Sequence, residues 1–150
     1  MGLGDFFSDD FRESFARRSI DIGAAVLLRI PEFRINYEKY GIYFANDNEN
    51  PEFCGLVIIN SPTDVVNFNP FLRSQQVLID CARHNFLAYD SYVDCTKLRR
   101  TNIQEMVDCI KNDPSKLLGN VESDIMSEIY TLLLNSETID QRTKDRYSIL

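Results

Sequence analysis

Apolar and polar residues along this chain change their period once, just after Cys95. Before that point they come in short runs or alternate, the spacing of strands; after it they recur at i, i+3, i+4 and i+7, the spacing of helices. The pattern predicts a strand over 20–30, ended by Pro31, which cannot continue a ladder. Further strands are predicted over 40–45 and 53–60, the latter uncharged and rich in β-branched residues. The dense turn formers of 46–51 separate these two. Residues 61–64 read as a turn and 65–74 as a loop with a short extended piece. Two more strands, 77–79 and 92–95, flank a polar loop.

Beyond the change of period, Ile103, Met106, Val107 and Ile110 define one helix, with Thr101 or Asn102 as its cap and Pro114 past its end. Residues 117–120 read as a turn. A second helix is predicted over 123–135, with Ile125, Met126, Ile129, Leu132 and Leu133 on one side. At the other end of the chain, Phe7, Phe11 and Phe15 recur every fourth residue, predicting an amphipathic helix over 5–19 with Ser8 as N-cap. That helix either packs on its own domain or binds a partner through Arg12, Arg17 and Arg18. The organisation expected is an N-terminal helical arm (1–19), one barrel domain with C-terminal helices (20–136) and a polar, frayed tail (137–150). Short strands followed by helices are not the βα alternation of a doubly wound sheet. They predict an α+β fold: a small, strongly bent antiparallel sheet or barrel with its helices gathered at one end.

Composition narrows this picture. With 44% hydrophobic and 26% charged residues in 150, the chain has enough apolar material for one core. No apolar run reaches the length of a membrane span and the start does not read as a signal peptide, so no membrane partner is expected and the expected location is cytoplasmic. The net charge of −7 gives no global attraction to phosphate, so any nucleic-acid contact must come from a local basic patch. The four cysteines, Cys54, Cys81, Cys95 and Cys109, are unevenly spaced and expected to be reduced. Cys81 and His84 have the spacing of half a zinc site, but without a second histidine or a CxxC pair no metal or cofactor is predicted.

The candidate chemistry gathers on the loop 80–91 and the stretch after it. His84, the single histidine, is a candidate acid or base. Asp90 and Ser91 are placed to orient it or to bind phosphate, or simply to cap a turn. Lys97, Arg99 and Arg100 are the densest basic cluster nearby, and Arg83 adjoins His84; they read as a phosphate clamp or as a solvated loop.

From Ser91 to Leu134 the chain resembles the C-terminal half of the MazF/PemK/Kid family of toxin ribonucleases. The resemblance is carried by Ser91-Tyr92-Val93-Asp94-Cys95, Leu117-Leu118-Gly119-Asn120-Val121 and the helix Asp124-Ile125-Met126-Ser127-Glu128-Ile129-Tyr130. Upstream, Gly55-Leu56-Val57-Ile58-Ile59-Asn60 is similar to the family's central strand. His84-Asn85-Phe86-Leu87, followed by Asp90-Ser91-Tyr92, is similar to a loop of a divergent PemK-like branch.

The resemblance implies an SH3-like barrel, a homodimer, metal-independent cleavage of single-stranded RNA and an antitoxin protein as partner. Such cleavage needs a base for the ribose 2′-OH, an acid for the leaving oxygen and a cation for the phosphate. The site expected is His84, Asp90 and Arg99 as catalytic groups, with Arg83, Ser91, Lys97 and Arg100 binding substrate. One departure is plain: where the family carries Arg-Pro before its central strand, this chain has Glu52, Phe53 and Cys54. Two functions therefore stand side by side. One is a toxin-type endoribonuclease, with its activity intact, altered or lost; the other is a non-catalytic SH3-like module that binds a protein.

Overall fold

The computed structural model of the protein describes residues 8–29 and 38–150. These residues contain six strands: β1 (Ala24–Leu28), β2 (Lys39–Asn46), β3 (Phe53–Asn60), β4 (Gln76–Ile79), β5 (Ser91–Asn102) and β6 (Leu117–Asn120). They form one sheet in the order β4-β5-β3-β2-β1-β6, and every pairing in it is antiparallel. The fold is α+β, and the sheet curls into a half-barrel. Among the described residues its outer strands, β4 and β6, do not pair, so the curl stops short of closure.

Among the described residues six α-helices accompany the strands: α1 (Asp9–Ser19), α2 (Pro62–Val65), α3 (Pro70–Ser74), α4 (Ile103–Asn112), α5 (Ser123–Leu134) and α6 (Gln141–Arg146). The expected caps are in place on two of them. Ser8 accepts the Phe11 N–H at 3.2 Å, and Asn102 accepts that of Glu105 at 3.0 Å. The stretches read as a turn and a loop hold α2 and α3, each begun by proline and capped by Ser61 or Asn69. Proline at the first helical position loses no hydrogen bond there, so it starts a helix as readily as it ends a strand.

The helices are not gathered at one end; they cover both faces of the sheet. Ile42, Val57, Ile59, Val93 and Cys95 face α5, whose Ile125, Ile129 and Leu133 complete that core. Val26, Leu28, Leu56 and Ile58 face the other way, against Met106, Val107 and Ile110 of α4. The cause is the composition of β2 and β3, whose central residues are buried on both sides. A strand apolar on both faces needs cover on both.

Three further differences follow from packing. Residues 117–120 form β6, which pairs with β1 through a bulge at Ala25 and Val26. Gly119 sits there at φ +156°, and a Cβ on it would come within 3.2 Å of the Phe86 ring. β5 runs seven residues past Cys95, to Asn102, so the basic cluster lies on a strand rather than on a loop. The tail expected to fray instead contains α6 and buries Ile139, Tyr147 and Ile149 against the α5 side of the sheet.

At the start of the chain, Phe7 lies outside the described residues. Phe11 and Phe15 are 45% and 42% exposed, while Ala16 is the buried residue of α1. The helix docks on α4 through Ala16, which shares a core cluster with Met106, Val107 and Ile110, and through polar contacts. Arg12 donates to the Lys111 carbonyl at 2.7 Å, and Gln104 bonds both Arg17 and Glu13.

Candidate functional site

The loop between β4 and β5 is held by its own chemistry. His84 is fully buried, and both ring nitrogens are engaged. Nδ1 lies 2.7 Å from the Asp80 carbonyl oxygen, and Nε2 accepts the backbone N–H of Glu122 at 3.1 Å. A carbonyl can only accept and an N–H can only donate, so these contacts fix the neutral ring with its proton on Nδ1. No lone pair or N–H is left to serve a substrate.

Arg83 reinforces the same junction. It reaches Asp80 at 2.8 Å and both carboxylate oxygens of Asp124 at 3.0 Å, tying the loop to the first turn of α5. Hydrogen bonds from this guanidinium hold the Asp80 carboxyl down at about 2, and they lower Asp124 as well. Asp90 accepts the Cys81 N–H at 2.9 Å. Ser91 is buried and donates its hydroxyl to the Tyr89 carbonyl at 3.1 Å. Arg83 and His84 thus fasten the loop to α5 and its entry, while Asp90 and Ser91 bond within the loop.

The basic residues lie elsewhere. Arg99 is eight positions along β5 from Ser91, about 25 Å at the ordinary strand rise. Lys97 is exposed on the same strand. Arg99 stands opposite Leu56 in the β3–β5 register, and Arg100 opposite Gly55. The structure therefore brings His84, Asp90, Ser91 and Arg83 together at one end of β5, and Arg99 and Arg100 at the other.

At that second end is an open cleft of about 490 Å³, lined by Arg29, Phe53, Arg99, Arg100, Asn102 and Glu105, among others. Three arginines and one carboxylate are among its described lining residues, a positive formal balance in a chain of net charge −7. The N-terminus of α4 opens onto the same space, adding its partial positive charge. The Arg100 guanidinium lies 3.8 Å over the centre of the Phe53 ring. Its Nε is 3.7 Å from Oδ2 of Asp47, whose side chain is wholly enclosed. Cys109, also on the wall, has its thiol pushed up by burial and stays protonated near neutrality.

Arg29 and Glu105 were not among the residues the sequence singled out, and Phe53 stood out only as a departure from the family's Arg-Pro. Arg29 follows β1, Phe53 begins β3 and Glu105 lies in the first turn of α4, so only tertiary pairing unites them. One signal was available: Thr96, Leu98 and Thr101 continue a strand-like composition past Cys95.

A second groove of about 540 Å³, between the end of β2, α5 and the C-terminal segment, is lined by residues such as Phe44, Met126, Tyr130 and Tyr147, with no charged side chain among its described lining residues. Among the described residues no group of three or more His, Cys, Asp or Glu side chains could hold a metal ion, and no helix is long and apolar enough to cross a membrane. The CxxH pair offers no ligand from its histidine, because both ring nitrogens are already used. No protein-family model matches the sequence, and no curated protein matches it significantly.

Proposed function

We propose that the protein binds single-stranded RNA in the arginine cleft beside β5, and that metal-independent endoribonuclease chemistry, which the MazF/PemK resemblance implies, runs there. On this reading the half-barrel is an opened form of the SH3-like barrel. The observation that carries the proposal is the convergence of Arg29, Arg99 and Arg100 on one cleft in a chain of net charge −7. A phosphate backbone gains affinity from such a patch, whatever the charge elsewhere.

The roles follow from the lining. Arg29 and Arg99 take the phosphate, and Glu105, the carboxylate on the wall, accepts the 2′-OH proton. The 2′-oxygen attacks phosphorus, the bond to the 5′-oxygen breaks, and that oxygen takes a proton from water. The products are a 2′,3′-cyclic phosphate and a 5′-hydroxyl. His84 has no part in this, because both its nitrogens are occupied.

The test is incubation with a long single-stranded RNA in EDTA, alongside Arg99→Ala and Glu105→Gln. Cyclic-phosphate ends lost in both variants support the reading. RNA binding without cleavage would leave a binding protein and remove the enzyme. Neither binding nor cleavage by a folded sample would sink both.

The second reading, a protein-interaction module, draws on a different observation. Phe11 and Phe15 are half-exposed and one turn apart on α1. Crosslinking through that helix with no RNA affinity would favour it. An antitoxin protein or a second copy of this chain would be the partner on either reading.

A further inference from the structure

We propose that Arg100 is a stacking platform for one nucleobase, while Arg99 reads the backbone charge; this rests on the RNA-binding reading above. The Arg100 guanidinium has one face on the Phe53 ring, at 3.8 Å. Its side chain is nevertheless 46% exposed, and it lines the cleft. A planar group covered on one face and still half-exposed offers its other face, and a guanidinium plane stacks on bases as an aromatic ring does.

What makes it a platform is that it is held. The Nε edge of Arg100 is 3.7 Å from Oδ2 of Asp47, a side chain with no exposure at all. Oδ1 of Asp47 accepts the N–H groups of Glu49 and Asn50 at 2.9 and 3.0 Å, so the carboxylate cannot swing. Oδ2 has no hydrogen bond of its own and faces the cation. Arg146 approaches the same carboxylate at 3.6 Å from the C-terminal segment and fixes it from the other side. A phosphate would have to share the in-plane edge of Arg100 with the Asp47 carboxylate, 3.7 Å from Nε. The exposed plane suits a base instead, and any base will do, because every base has a π-face.

The experiment uses a short single-stranded RNA carrying 2-aminopurine, whose fluorescence falls on stacking, titrated into the 150-residue chain at several salt concentrations. Wild type should bind with quenching. Arg100→Lys keeps the charge and loses the plane; it should lose the quenching and about tenfold in affinity, with the salt dependence unchanged. Phe53→Leu should lose quenching in part. Arg99→Ala should keep the quenching and flatten the salt slope by about 0.7. Circular dichroism checks that each variant is folded. Binding without quenching by wild type, or full quenching by Arg100→Lys, overturns the platform and leaves the RNA reading intact. No salt-dependent binding by wild type overturns both.

Discussion

The Nε2 of His84 accepts the backbone N–H of Glu122 at 3.1 Å, across 38 residues of sequence. With Nδ1 bound to the Asp80 carbonyl, the ring is a crosslink between the β4–β5 loop and the entry to α5. The histidine that reads as a candidate acid or base in the sequence has both ring nitrogens bonded in the structure.

That relationship fixes the first prediction. His84→Ala removes a buried ring and strands the Glu122 N–H, which should cost about 2–3 kcal/mol of stability. Urea unfolding would measure this. RNA binding or cleavage per folded molecule should be unchanged, and a selective loss of cleavage at full stability would restore His84 to the site.

Acid should loosen the same junction. The Asp80 carboxyl is held at about 2 by hydrogen bonds from Arg83, below its ordinary value of 3.8. A lowered carboxylate stabilises the fold above its unfolded pKa. That contribution is complete above about pH 4 and is lost as pH falls through about 2. Asp124 shifts in the same direction for the same reason. Arg83→Gln should therefore flatten the fall of the thermal midpoint between about pH 5 and pH 2, and an unchanged slope would count against the ion pair.

The thiols should sort by burial. Burial pushes Cys54 and Cys95 up to about 12, and both are enclosed in the sheet. Cys81 and Cys109 are raised too, Cys81 mainly by its contact with Asp90, but both are only half-buried. A thiol-specific reagent near neutral pH should modify Cys81 and Cys109 slowly and leave Cys54 and Cys95 until unfolding, as peptide mapping would show. Early modification of Cys95 would mean that the α5 face opens locally.

Local rules made the longer helices and strands legible in the sequence, but not the short elements or the partners of any. The apolar spacing of Ile103, Met106, Val107 and Ile110 placed α4, and the uncharged run at 53–60 placed β3. Leu117–Asn120 looks like a turn because Gly119 and Asn120 are turn formers; β1 alone makes it a strand. The same limit applies to the site. Chemical type singled out His84 and Asp90, but one of the two bonds that tie His84 down comes from a backbone N–H 38 residues along the chain, at Glu122. Arg29 and Glu105 carried no local signal, and only the folding of β1 and α4 beside β5 brings them to the cleft of Arg99.

The C-terminal segment gives the last prediction. A Cβ on Gly55 would meet ring carbons of Tyr147 at 3.1 and 3.2 Å and Leu98 at 3.3 Å. Tyr147 is buried there beside Ile149, so the segment after α6 closes one face of β3. Gly55→Ala should force the ring away and cost about 1–3 kcal/mol. Ile149→Ala should cost about 2–4 kcal/mol, as a core residue does and a frayed tail does not. If Tyr147 is what Gly55 must accommodate, the cost of Gly55→Ala should shrink once Tyr147→Leu has opened the space. A double-mutant cycle in urea reads that coupling directly. Strictly additive costs would show that Leu98, on β5, sets the limit at Gly55 instead.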